Sequence, residues 1–159
     1  MKKRVSVGLL ALSGAGLVAL TQLEGFEERV YIPVPGDMPT AGYGHADPRL
    51  EVGKLISKQQ ALQWLDEDTK VAQEAVRRYV RVPLTQSEFD AYTLFVYNVG
   101  AGSFRSSTLL KKLNDARYEE ACEELKRWVY SGGVKYNGLV NRRNIEMMMC
   151  KEGIYPNER

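Results

Sequence analysis

One histidine and two cysteines leave little to build a metal site from. His45 has no neighbouring ligand set, and Cys122 and Cys150 form no Cys-x-x-Cys pair, so neither a metal nor a cofactor is expected. An excess of one charge is also missing. The 22 basic and 20 acidic residues leave a net charge of +2, too small a field for a nucleic-acid protein, and no nucleic-acid partner is expected. There is no internal repeat and no low-complexity tract. At 159 residues the chain has room for one domain with a true hydrophobic core, expected to act as a monomer.

Charge is absent altogether from Val5 to Leu23, a run of nineteen residues preceded by Lys2, Lys3 and Arg4 and followed at once by Glu24. That length approaches the roughly 20 residues that span a bilayer as a helix. Basic residues before it would hold the N-terminus in the cytoplasm and carry the rest outward. Gly8, Gly14, Gly16, Ser6, Ser13 and three alanines dilute the leucines and valines, so partitioning into a membrane should be marginal. Three readings compete: a cleaved signal peptide, a buried N-terminal helix, and an uncleaved export signal weak enough to leave the bilayer later. The third is favoured because cleavage near Thr21 would leave almost no chain before Glu24. The expected division is a signal-anchor segment over 1–23 and a catalytic domain over 24–159.

Glu24 to Arg29 reads as a short helical continuation. From Val30 to His45 three prolines and three glycines exclude a helix and predict a loop or small hairpin with Pro35-Gly36-Asp37 at its tip. Apolar spacing predicts one helix from Ser57 to about Val80. Thr85-Gln86-Ser87-Glu88 matches a capping box, and the apolar run after it marks a central core helix stopped by Gly100. Further helices are expected over 107–114, 117–130 and 137–151, with Ser131-Gly132-Gly133 as a break and Gly153 as the last stop. The sum is an α+β fold, a small β-containing lobe followed by a larger helical lobe, with a polymeric substrate expected between them.

Cleaving a glycosidic bond takes one carboxyl group that protonates the leaving oxygen and usually a second that activates water or attacks the sugar. Glu24, between Leu23 and Phe26, has the apolar setting the first role calls for. Asp37 is the one acid between Glu28 and His45, and Thr40 follows three residues later with a hydroxyl that can hold a water. On spacing alone Asp37 reads first as a turn residue after Gly36 and only second as a catalytic acid.

Three blocks change this: Leu23-Glu24-Gly25-Phe26, Gly42-Tyr43-Gly44-His45, and Phe95 to Leu110 with Asn98-Val99-Gly100-Ala101-Gly102-Ser103-Phe104. With Trp128 and Gly138-Leu139-Val140-Asn141-Arg142-Arg143 they resemble, in order, the motifs of bacteriophage lysozymes, the endolysins of glycoside hydrolase family 24. The uncharged N-terminus resembles the signal-anchor-release subset. The resemblance covers roughly residues 23–151 and implies a lysozyme-like muramidase. Such an enzyme acts on peptidoglycan glycan strands, cleaving the β-1,4 bond between N-acetylmuramic acid and N-acetylglucosamine in the periplasm after tethering to the inner membrane through residues 5–23. It implies a catalytic glutamate, aspartate and threonine: Glu24 and Thr40 carry over from the motifs, and Asp37, the one acid in the loop, is assigned the second carboxylate role. The family's aspartate stands nine residues after the glutamate, where this chain has Pro33, and Thr40 sits one residue late.

Tyr31, Asn98, Ser107 and Arg142 are candidates to contact substrate, against lobe packing for Tyr31, capping for Asn98 and Ser107, and pairing with acids for Arg142. His45 is expected to tie the β-lobe to a carboxylate and Trp128 to lie in the core. Cys122 and Cys150 fall on separate helices and can bridge if those helices pack in an oxidising compartment. Two other functions stay open: a tethered wall-binding protein without activity, and a transglycosylase that needs one acid.

Overall fold

The computed structural model describes residues 3–156. The chain divides into two compact units, Leu17–Lys70 and a larger one formed by the chain up to Gly16 with the chain from Val71 onward. Helix α1 (Gly14–Glu24) starts in the larger unit and ends in the smaller.

In the smaller unit the expected helical continuation past Glu24 does not form. Gly25 takes a left-handed φ of 69°, which ends α1, and β1 (Glu27–Tyr31) begins two residues later. Extended chain wins there because both edges of β1 find partners. One edge pairs antiparallel with β2 (Thr40–Gly42), which pairs in turn with β3 (His45–Ala46). The other edge bonds the 53–56 segment, Val30 N–H donating to Lys54 C=O at 2.9 Å and Ile56 N–H to Glu28 C=O at 2.7 Å. The proline-rich loop between β1 and β2 turns at Pro35-Gly36, as the sequence predicts. Gly42 has a φ of 66° and lies so close to α2 (Lys58–Asp68) that an added Cβ would stand 2.8 Å from Ala61 Cβ. Val30, Ala41, Ala61, Leu65 and Leu20 are the buried apolar residues that this close approach serves.

The helix expected over 57–80 is two helices. Ser57 caps α2, its hydroxyl accepting from Gln60 N–H at 3.1 Å, and the helix ends at Thr69, whose buried hydroxyl donates to Asp66 C=O at 2.7 Å. That back-bond competes with the helical ladder and is the local reason for the break before α3 (Lys70–Tyr79).

In the larger unit α4 (Gln86–Val99) has the expected capping box: Glu88 N–H donates to Thr85 Oγ1 at 3.0 Å and Thr85 N–H to Glu88 Oε2 at 2.8 Å. Every residue from Ser87 to Val96 is buried, and Gly100 ends the helix. Then come α5 (Ala101–Arg105), α6 (Thr108–Asn114) and α7 (Tyr118–Glu124). The helix expected over 117–130 stops short, passing through a 3₁₀ turn at Leu125–Arg127 into a hairpin of β4 (Tyr130–Ser131) and β5 (Val134–Lys135). Gly132 and Gly133, with φ of 56° and 80°, supply the tight hairpin turn that pulls Tyr130 and Ser131 into extended chain. Helix α8 (Asn137–Glu152) packs along α4 and ends at Gly153. Cys122 of α7 and Cys150 of α8 form the bridge their separate helices allow, with Cα atoms 5.8 Å apart.

Residues 5–23 are not one helix. Val5 pairs antiparallel with Leu84, Val7–Leu9 makes a single 3₁₀ turn, Leu10 to Ser13 is non-helical, and α1 starts at Gly14. Glycines and serine break the run, and Ser13 caps α1 by accepting from Gly16 N–H at 3.0 Å. Val7, Leu10, Ala19 and Leu20 are buried while Leu9 is 80% exposed. Among the described residues no helix is long and apolar enough to cross a membrane.

Candidate active site

The smaller unit holds Glu24, Tyr31, Asp37 and Thr40, placed by consecutive stretches of chain. Glu24 is the last residue of α1 and half-buried. Three residues on, β1 begins and leads to Tyr31, which stands directly opposite Thr40 in the β1–β2 register. Thr40 is buried and its hydroxyl donates to Met38 C=O at 3.1 Å, leaving the oxygen's lone pairs to accept from another donor. Asp37 is exposed on the connecting loop, where its N–H donates to Val34 C=O at 2.9 Å. Pro33 is exposed on the same loop and brings no acid to the position where the motif has one.

His45 behaves as the sequence suggests. Its Nδ1 lies 2.8 Å from Asp68 Oδ2, and its ring stacks on Trp64 with centroids 4.4 Å apart, so the imidazole ties β3 to α2. Asp47 on the other side is held down at about 2 by its hydrogen bonds from Arg49.

The larger unit carries Asn98, Ser107 and Arg142. Asn98, near the end of α4, accepts from Arg143 Nη2 through Oδ1. Arg142 donates from Nη2 to Leu94 C=O at 3.0 Å and from Nε to Glu146 Oε1 at 3.2 Å. Glu146 is fully buried and also receives Arg143 Nη1 on both oxygens at 2.8 and 2.9 Å. Burial pushes the Glu146 carboxyl above its ordinary value, and the two guanidiniums pull against it. Arg143 continues to Trp128 C=O at 2.9 Å, and the Phe95 ring lies 5.0 Å beneath it. One buried carboxylate therefore holds two arginines, and through Arg143 it fixes the Asn98 amide. Arg143 pairs with an acid, as the sequence allows for it and for Arg142, but Glu146 escaped notice, although Arg142-Arg143-x-x-Glu146 puts the acid three and four residues on, on one helix face.

Ser107 is the N-cap of α6. Its hydroxyl accepts from Leu110 N–H at 3.0 Å and donates to Phe104 C=O at 2.7 Å, which uses its proton and one of its two lone pairs. It lines a recess of about 520 Å³ with Ser103, Ser106, Thr108 and Trp128. Trp128 is half-buried there rather than a core residue, its ring meeting the Phe95 ring edge-on at 5.3 Å. The hairpin that begins two residues later turns the chain outward and leaves one side of the indole open.

Over residues 21–146 the sequence matches the Phage lysozyme family. The chain belongs to the phage lysozyme family. It is 39% identical to an endolysin of Bacillus phage PZA over 91% of the chain, and 33% identical to a SAR-endolysin of Enterobacteria phage PA-2 over 92%. The alignments cover 56% of the first relative and 90% of the second, so the chain spans little more than half the length of the Bacillus phage protein. Among solved structures, the endolysin from Escherichia coli O157:H7 phage FAHEc1 superposes with a TM-score of 0.84 at 35% identity. That superposition covers 94% of this chain and 98% of the other. The small sheet and helical majority of this chain are the lysozyme-like α+β arrangement that its motifs imply.

Proposed function

We propose that this phage lysozyme is an endolysin that hydrolyses the β-1,4 bond between N-acetylmuramic acid and N-acetylglucosamine in peptidoglycan. The observation that carries the reading is the run Glu24, Tyr31, Asp37, Thr40 on one helix and one hairpin, with Tyr31 and Thr40 facing across the strands. Glu24 gives its proton to the leaving glycosidic oxygen as the C1–O bond breaks. A water accepted by the free lone pairs of Thr40 adds to C1 and passes its proton to Asp37. Tyr31, Asn98, Ser107 and Arg142 contact the glycan, the last three from supports that hold their side chains before substrate arrives.

Residues 1–23 act as the signal-anchor segment and 24–159 as the catalytic domain, exported to the periplasm. Lys2, Lys3 and Arg4 ahead of an uncharged run support this, as does similarity to a protein named as a SAR-endolysin. In the bilayer the run is helical, and after release it takes the broken form described above.

Turnover of purified peptidoglycan by the released protein tests the assignment. Glu24→Gln should lower it by about three orders of magnitude, Asp37→Asn by about two, and Thr40→Ala by at least about tenfold. Full activity in Glu24→Gln would end the muramidase reading. Pro33 at the usual aspartate position favours one rival, a transglycosylase with a single acid. It predicts an active Asp37→Asn and anhydro sugar ends in place of reducing ends.

A further inference from the structure

Asp90 is out of place by the logic of packing alone. It sits on α4 among Phe89, Ala91, Tyr92 and Leu94, is fully buried, and has no cation paired with it among the described residues. Four donors converge on it instead. Gln86 Nε2 comes from its own helix at 2.8 Å and the Tyr155 hydroxyl from the chain end at 2.5 Å. The other two belong to one residue of the N-terminal segment: Ser13 donates from its backbone N–H at 3.1 Å and from its hydroxyl at 2.5 Å. A buried carboxylate needs every donor it can reach, so half of what makes Asp90 tolerable there comes from a segment that also has the composition of a membrane anchor.

Its neighbours repeat the pattern. Peptide groups that leave a helix in lipid need new partners, and those just before α1 find them in side chains of α3 and α4. Leu12 N–H donates to Gln73 Oε1 at 2.9 Å, Arg77 Nε to Leu10 C=O at 2.9 Å, and Gln86 Nε2 to Ala11 C=O at 2.8 Å. Arg4, one of the three basic residues ahead of the run, donates to Glu88 at 2.7 Å and lies 3.5 Å over the Tyr118 ring.

The glycines of the segment divide the same way. A Cβ on Gly16 would stand 2.7 Å from Leu12 Cδ1 and 2.9 Å from Asp90 Cγ, a carboxyl that its donors hold in place. A Cβ on Gly14, one residue after Ser13, would meet nothing within 4 Å.

We propose that Asp90 is a positioning residue: it receives the N-terminal segment at Ser13 and so fixes the start of α1, the helix that ends in Glu24, with Gly16 kept small so that the segment can reach it. This rests on the reading of residues 5–23 as a releasable anchor and of Glu24 as the acid. Release from the membrane and seating on α4 are then separate steps with separate sequence requirements, and activity waits for the second.

Serine placed at either glycine changes the hydropathy of the run equally, so Gly14→Ser and Gly16→Ser separate the steps. For the full chain expressed with export, three quantities are read: the fraction leaving the membrane pellet, hydrogen exchange at the Leu12 and Ser13 amides, and kcat and KM of the soluble protein. Both serine variants should be released alike. Gly14→Ser should match the wild type in exchange and turnover. Gly16→Ser and Asp90→Ala should exchange fast at those two amides and lose kcat by about tenfold or more, with KM within about twofold. Asp90→Asn, whose Oδ1 still accepts from Ser13 N–H, should recover part of the loss. Wild-type kcat in Gly16→Ser and Asp90→Ala, or protected amides in either, overturns the proposal. Should Asp90→Ala not accumulate, Gly16→Ser decides it alone. Glu24→Gln runs alongside: if it stays active the muramidase reading has failed, whereas a dead Glu24→Gln beside an active Gly16→Ser removes the seat and leaves that reading standing.

Discussion

The loop from Ile32 to Met38 and the cluster around Glu146 both hold candidate substrate-handling groups, and they are built in opposite ways. Every residue of the loop is exposed, and Asp37 is steadied by a single backbone bond to Val34. Around Glu146, two arginines and an amide are locked by a carboxylate with no exposure at all. Backbone geometry alone presents the loop's side chains, so they can change with little effect on folding. Removing Glu146 takes from two buried arginines the acid they share, so there positioning and stability are one property.

Removing the carboxylate is the strongest way to break that contrast. Glu146→Ala removes the acid that two buried arginines share and should cost about 3–5 kcal/mol in urea unfolding; a loss under 1 kcal/mol would mean that the cluster is no stiffer than the loop. Next is the bridge between α7 and α8, which closes a loop of 28 residues and has no counterpart in the smaller unit. Cys122→Ser with Cys150→Ser should lower stability by about 3 kcal/mol, read from the same unfolding curve, and an unchanged midpoint would count against the bridge as a support of the cluster. For the loop, Asp37→Asn should leave stability within about 0.5 kcal/mol of the wild type while turnover falls. A large stability change there would show that the loop is held by more than its backbone. The smallest effect belongs to an exposed pair on the same helices. Glu123 is held down at about 2 by Lys126 and then Lys151. With its folded value depressed below 4.5, its contribution is present above that pH and is lost as pH falls towards 2. Being partly exposed, it should contribute under about 0.5 kcal/mol, and Glu123→Gln should flatten the acid limb of a stability profile by no more than that.

Much of the helical framework was legible because helix ends are decided within a turn. Thr85 with Glu88, Ser57, Ser107, Gly100 and Gly153 each act through bonds to residues three or four away, and each end falls where those residues predict. Errors came where a helical or apolar pattern met a competing partner, distant or local. Glu24 to Arg29 has helical composition, yet β1 forms because Lys54 and Ile56 bond one of its edges and β2 the other. Trp128 reads as core from its neighbours, and the hairpin after it turns its ring partly outward. The 57–80 pattern is helical throughout, but the Thr69 hydroxyl finds a carbonyl of its own and divides it.

In the candidate site, residue type and order alone single out Glu24, Asp37 and Thr40, whose roles are proposals, and the proline at position 33 is read directly. That Glu146 grips Arg142 and Arg143 was written in their spacing but not in their burial, and spacing without burial describes any solvated helix face.

By itself the sequence determined those helix ends that carry a capping residue or a stop glycine, the order of the lysozyme motifs, and the uncharged length of the N-terminal run, since all of these depend on neighbours along the chain. Only the tertiary structure decided what that run does once folded. A nineteen-residue stretch without charge favours a helix in lipid and carries no instruction against it. Asp90, Gln73, Arg77 and Glu88 lie more than sixty residues away, and their side chains supply the hydrogen bonds that make the broken form the stable one in water.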